Sequence, residues 1–163
     1  MIWSRFRSRG GPVFESNGNN RRAFLMKYII GLAAAAMIAV TGAASAQDFS
    51  GGDAKAGKKV FNKCKACHRV GDKAKDAVGP VLNGIVGREA ATWESYSAKY
   101  SDLLKAKAGE IGTWEPAEIV EYARDPSAYI GGKSKMTKQK FDDKQAADLI
   151  AYLSSFDLEG NEK

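Results

Sequence analysis

Two thiols and an imidazole fall within five residues, Cys64-Lys65-Ala66-Cys67-His68, and the 163-residue chain contains no other cysteine or histidine. Two cysteines cannot build a disulfide scaffold. Structural zinc needs four nitrogen or sulfur ligands, whereas this chain owns three candidates, all adjacent. A thioredoxin-like dithiol calls for a βαβ setting, and nothing near the motif reads as a strand entering such a unit. Covalent attachment of heme c meets the pattern. Two thiols reach two vinyl groups, and the imidazole that follows binds iron from the same side. A single histidine also excludes a bis-histidine heme and any mechanism needing two imidazoles.

The formal charge of +6 suggests a nucleic-acid partner until it is located. Residues 1–46 hold six basic groups and one acid, Glu15, which leaves 19 basic and 18 acidic residues in the remainder. The excess therefore belongs to the leader, and nucleic-acid binding is not expected. Met26-Lys27 opens a run that is apolar from Tyr28 to Val40 and ends in Ala44-Ser45-Ala46. Those are the dimensions of a secretory signal. The run is short for a bilayer, which takes about 20 residues, although counting on to Ala46 keeps a membrane anchor as the alternative. The expected organisation is a non-native or disordered extension over 1–25, a signal peptide over 26–46 cleaved after Ala46, and one domain over 47–163. The extension is Arg-, Gly- and Asn-rich, and Met26 can serve as the start. Arg21-Arg22 resembles a twin-arginine signal, but that route exports folded cargo, whereas heme is attached outside the cytoplasm to an unfolded chain. The expected address is periplasmic, with no lasting membrane insertion.

Of four methionines, three (Met1, Met26 and Met37) lie in the leader, so Met136 alone remains as a thioether ligand. A lone methionine is ordinarily core filler. Met136 instead sits in the polar loop Gly131-Gly132-Lys133-Ser134-Lys135-Met136-Thr137, and iron ligation supplies a reason for it. A soft, neutral sulfur favours Fe(II), so a His68/Met136 pair raises the reduction potential.

The flanks read as helices. Asp53 to Lys63 places Ala54, Gly57, Val60 and Phe61 on one face, and Asp142 to Phe156 does the same with Leu149, Ile150, Leu153 and Phe156. Shorter helices are expected near Glu94–Lys107 and Pro116–Arg124, with Pro116 suited to a first turn. No alternating run of strand length and no internal repeat is present. The expected fold class is all-α.

With these residues in order, the sequence resembles a class I cytochrome c of the bacterial cytochrome c2 and mitochondrial type, over about residues 51–156. The resemblance rests on Cys64–His68 together with Gly57-Lys58-Lys59-Val60-Phe61, Gly79-Pro80, Gly87-Arg88, Tyr100-Ser101-Asp102, Trp114, Tyr122, Pro126, Tyr129-Ile130 and Leu149-Ile150-Ala151-Tyr152-Leu153. It implies the cytochrome c fold, with N- and C-terminal helices crossing at Gly57 and packed around a covalently bound heme. It implies that the Pro80 carbonyl orients His68, that Arg88, Tyr100 and Trp114 hydrogen-bond the inner propionate, and that Tyr122 lies beside the methionine sulfur. Tyr96 rivals Tyr100, because the loop after Arg88 is longer than in familiar members. Two departures stand out. Gly131-Gly132 replaces the common Pro-Gly, and Thr137-Lys138-Gln139-Lys140 is polar where an apolar heme lid is usual, with Phe141 as the candidate to fill that place.

The implied function is one-electron transfer, not enzymatic catalysis, because iron held by two protein ligands has no open position for substrate. Lys63, Lys65, Lys73, Lys75, Lys133, Lys135, Lys138 and Lys140 cluster in the two segments expected to flank the heme edge, with Glu110, Glu115, Glu118, Glu121 and Asp125 between them in sequence. Such a dipole steers a monomeric carrier to acidic redox partners, among them a bc1 complex, an oxidase, a reaction centre or a dehydrogenase. Two alternatives stay open: a dedicated heme subunit of a periplasmic dehydrogenase, and a gas-binding or peroxidatic protein in which Met136 lets go.

Overall fold

The computed structural model describes residues 48–163. The extension, the signal peptide and the cleavage point after Ala46 lie outside the described residues.

Helix α1 (Ala54–Val60) begins where Asp53 caps it, its carboxylate accepting the N–H groups of Lys55 and Ala56. It tightens into a 3-10 turn at Phe61–Lys63 and delivers the chain to the cysteine motif. There the turn continues, with Cys67 N–H donating to the Cys64 carbonyl at 3.0 Å and His68 N–H to the same oxygen at 2.9 Å. The expected helix from Asp53 to Lys63 is thus two joined pieces.

At the other end α5 (Asp143–Ser154) starts from a capping box formed by Asp142 and Gln145. It crosses α1 at Gly57, where a Cβ would overlap the Asp148 carbonyl, so only glycine permits the approach. The Asp148 carboxylate is buried and accepts the Asp53 N–H at 2.8 Å and the Lys144 ammonium at 2.9 Å, tying the start of α1 to the middle of α5. Phe61 packs on Tyr152 with ring centroids 5.4 Å apart, and Tyr152 meets Phe156 edge-on at 5.2 Å.

The helix expected over Glu94–Lys107 is corrected. A 3-10 helix covers Glu94–Lys99, the chain extends at Tyr100, and α2 runs over Asp102–Ile111. The Ser101 hydroxyl accepts the Leu104 N–H at 3.2 Å, and a serine in extended conformation with its side chain turned onto the backbone starts a helix rather than continuing one. Helix α3 (Pro116–Arg124) has the expected bounds with Pro116 in its first turn, and α4 (Pro126–Tyr129) follows at once, capped by Asp125. Among the described residues there are two isolated bridges and no strand, and no helix is long and apolar enough to cross a membrane.

Candidate functional site

The apolar core does not close on itself. Val60, Phe61, Ile85, Leu104, Trp114, Leu149 and Leu153 belong to one cluster, and several of its members face a cavity that also takes in Cys64, Cys67, His68, Pro80, Arg88, Tyr100, Tyr122 and Met136. Apart from Phe141, every residue singled out from sequence as a heme contact therefore lines one hollow.

His68 is seated from behind. Its Nδ1 lies 2.8 Å from the Pro80 carbonyl oxygen, an acceptor, so Nδ1 carries the proton and Nε2 keeps its lone pair. Gly79 N–H donates to the Cys67 carbonyl at 2.9 Å, and a Cβ at Gly79 would collide with the imidazole ring. The missing side chain is the space the ring occupies. Burial pulls the His68 pKa below its ordinary 6.5, only partly opposed by the Pro80 hydrogen bond, so the ring is held in the neutral, ligand-competent form. Cys64 and Cys67 are free thiols, not joined to each other. Burial pushes Cys64 up to about 11, which argues against a reactive dithiol.

Arg88 donates to the Asn83 carbonyl at 2.8 Å and to the Val81 carbonyl at 3.1 Å, and lies 4.7 Å over the Trp93 ring. Burial lowers its pKa, opposed by Tyr100 and Asp76, and a guanidinium stays charged in proteins. Arg88 thus places a fixed cation in the cavity wall, which Lys63, Lys99 and Lys135 also line. Trp114 is buried against Tyr122, centroids 5.3 Å apart. Tyr122 hydrogen-bonds the Ser134 side chain, which also accepts the Met136 N–H at 3.0 Å. Tyr96 and Tyr100 both line the hollow and meet edge-on at 5.1 Å. Tyr96 donates its hydroxyl to the Val78 carbonyl, whereas Tyr100 receives the Trp93 N–H.

A family model described as cytochrome c matches residues 54–157. The chain belongs to the cytochrome c family. Cytochrome c-554 of Methylosinus trichosporium is 43% identical over 133 residues, covering 81% of this chain and 94% of that protein. Cytochrome c2 of Blastochloris viridis is 40% identical over 121 residues, covering 74% and 91%. The solved structure of cytochrome c2 from Rhodospirillum centenum superposes with a TM-score of 0.59 at 35% identity, over 65% of this chain and 99% of that one. The protein is a class I cytochrome c with the cytochrome c fold, an electron carrier and not an enzyme, and it carries covalently bound heme c.

The residues fit that group. Two free thiols and a neutral imidazole share one wall segment, a thioether reaches the same hollow, and the half-buried Arg88 cation stands ready for a carboxylate.

Two expectations for the cytochrome change. Phe141 does not line the cavity; it packs with Val120, Ala146 and Ile150, and the Arg124 guanidinium covers its ring at 5.4 Å. Arg124 is itself fixed by Asp143 at 2.7 Å. The lid is the polar segment, with Thr137 and Gln139 at the cavity and Gln139 N–H pinned to the Ala123 carbonyl at 2.9 Å. Second, not every lysine stands free. Lys63 donates to the Lys140 carbonyl, Lys135 to the Lys99 carbonyl at 3.0 Å, and Lys138 pairs with Asp125 at 2.6 Å. Lys65, Lys73, Lys75, Lys133 and Lys140 are exposed. Glu110, Glu118, Glu121 and Asp125 line a separate groove beside Tyr129, together with Lys107, and Asp125 is the acid that Lys138 reaches.

Sequence reasoning missed Asp76, Asn83 and Ser134. Asn83 is buried and holds both backbone groups of Gly71, at 2.8 and 3.0 Å. A lone amide inside Val81-Leu82-Asn83-Gly84-Ile85 was a usable signal.

Proposed function

We propose that this chain is an exported, periplasmic one-electron carrier in which Cys64 and Cys67 anchor heme c and His68 and Met136 bind its iron. The convergence of those four side chains on one largely apolar hollow is the observation that carries the reading. When bound, heme c supplies a one-electron Fe(III)/Fe(II) couple whose potential the sulfur ligand raises. The chain's residues set the conditions. Pro80 aligns His68 through Nδ1, and Ser134 holds both Tyr122 and the backbone of Met136. Arg88, Tyr100 and Trp114 take the inner propionate. Tyr100 is favoured over Tyr96, whose hydroxyl proton already serves Val78. Apolar walls exclude water and keep reorganisation on electron transfer small.

The exposed lysines Lys65, Lys73, Lys75, Lys133 and Lys140 form the docking face for an acidic redox partner of a respiratory or photosynthetic chain. The carrier acts as a monomer released from its leader after Ala46. The test is the visible spectrum of oxidised and reduced protein. Low-spin heme that resists acid extraction, with the weak iron–sulfur charge-transfer band lost in Met136→Ala, supports the assignment. High-spin iron without that band in the parent refutes Met136 as ligand.

A further inference from the structure

The Pro80–Val81 peptide is one planar unit, with its carbonyl and its N–H pointing in opposite directions. Its oxygen accepts from His68 Nδ1, and its N–H donates to Asp76 Oδ1 at 2.8 Å. The other carboxylate oxygen, Oδ2, accepts the Ser95 hydroxyl at 2.6 Å. The plane that aims the acceptor at the imidazole is thus gripped on its far edge by a carboxylate. That carboxylate is held in turn by the loop following Arg88, and Tyr96 of the same loop reinforces the clamp through the Val78 carbonyl.

We propose that Asp76 is a positioning residue for the His68 imidazole, acting through the Pro80–Val81 amide and steadied by Ser95. This rests on the reading of His68 as an iron ligand. Two effects run along the relay. Fixing the amide plane fixes the direction of the Pro80 oxygen. A carboxylate on the N–H also polarises the amide and makes that oxygen a stronger acceptor, as linked hydrogen bonds do. A stronger bond at Nδ1 makes the imidazole a better donor to iron, which favours the ferric state. Breaking the relay therefore raises the reduction potential.

The experiment uses the reduced and oxidised holoprotein with Asp76→Ala, Asp76→Asn and Ser95→Ala. Ser95→Ala changes no charge, and Asp76→Asn keeps an acceptor for Val81, so the set separates the relay from simple loss of a negative charge. Exposed Asp72→Asn in the same loop controls for that loss. The readouts are hydrogen exchange of the His68 Nδ1–H by NMR and the reduction potential. Asp76→Ala is expected to speed exchange about tenfold and to change the oxidised-to-reduced ratio at fixed potential about threefold, which is about 30 mV for a one-electron couple. Ser95→Ala moves both in the same direction by less. Exchange and potential within twofold of the parent in Asp76→Ala and Ser95→Ala overturn the proposal. If Asp76→Ala does not fold, Ser95→Ala decides alone, and hydrogen exchange within twofold of the parent overturns the proposal. A parent protein whose His68 ring shows no heme-shifted resonances would sink the ligand reading instead, and is scored before any variant.

Discussion

Replacing Gly57 with alanine tests the helix crossing on which the cavity rests. The added Cβ would overlap the Asp148 backbone carbonyl and sit 2.7 Å from Tyr152 Cβ. Neither neighbour can swing away as a rotamer, so α1 and α5 must separate. A gap of about 0.5–1 Å forfeits roughly a quarter to a half of each dispersion contact across it. Val60, Phe61, Leu149 and Leu153 are buried in the cluster shared by the two helices, and each buried side chain of this kind is worth about 2 kcal/mol. The loss is therefore about 2–4 kcal/mol, offset by the roughly 1 kcal/mol that alanine gains over glycine in a helix. The net expectation is a destabilisation of about 1–3 kcal/mol.

Gly109 in α2 is the internal comparison, because a Cβ there meets nothing within 4 Å. Gly109→Ala should stabilise by about 0.5–1 kcal/mol. Urea unfolding of the two holoproteins at pH 7, followed by far-UV circular dichroism, reads both as midpoint shifts of opposite sign at unchanged slope. Gly57→Ala as stable as the parent would refute the close-approach argument, whatever Gly109→Ala does.

Three further outcomes are expected. The Asp53 N–H and the Lys144 ammonium hold Asp148 below its ordinary 3.8, so its contribution is complete above about pH 4 and fades as pH falls through the lower folded value. Asp148→Asn should thus be less stable than the parent at pH 7 by urea unfolding, with the gap closing as the pH falls below the carboxylate's ordinary 3.8. Asn83→Ala strands both backbone groups of Gly71 and should cost about 2 kcal/mol or more, read as a fall in the melting temperature. Reversing Lys65, Lys73 and Lys75 to glutamate should slow electron transfer to an acidic redox partner and flatten its dependence on ionic strength; an unchanged salt slope measured by stopped flow would remove these lysines from the docking face.

What could be read from the sequence follows the range of the interactions involved. The bounds of α3 and the apolar faces of α1 and α5 are written in signals a few residues long, or in the 3.6-residue period, whereas the need for glycine at 57 came only with the resemblance, because the Asp148 carbonyl that demands it lies 91 residues away. The break at Tyr100–Ser101 was missed because a run of mixed polarity reads as helix until the Ser101 hydroxyl is seen to cap α2. Phe141 was placed by the polarity of its neighbours, yet the Arg124 guanidinium over its ring and the apolar pocket of Val120 and Ile150 decide its position. Lys63 and Lys135 looked like docking charges, and the backbone carbonyls they reach lie 77 and 36 residues away.

The same division runs through the site. Cys64, Cys67, His68 and Met136 stand out in the sequence because their chemistry is intrinsic to the side chain: a thiol can bond a vinyl group, and an imidazole or a thioether can ligate iron. Asp76, Ser95 and Ser134 have no such signature, since a carboxylate or hydroxyl that accepts a backbone N–H is ordinary anywhere. Their importance arises only when folding puts Asp76 behind the peptide that faces His68 and Ser134 between Tyr122 and Met136. On the reading proposed above, the first group lets the chain exchange an electron and the second tunes the potential at which it does so. Proteins that share the Cys64–His68 motif but differ behind Pro80 should therefore keep the same spectrum while differing in potential.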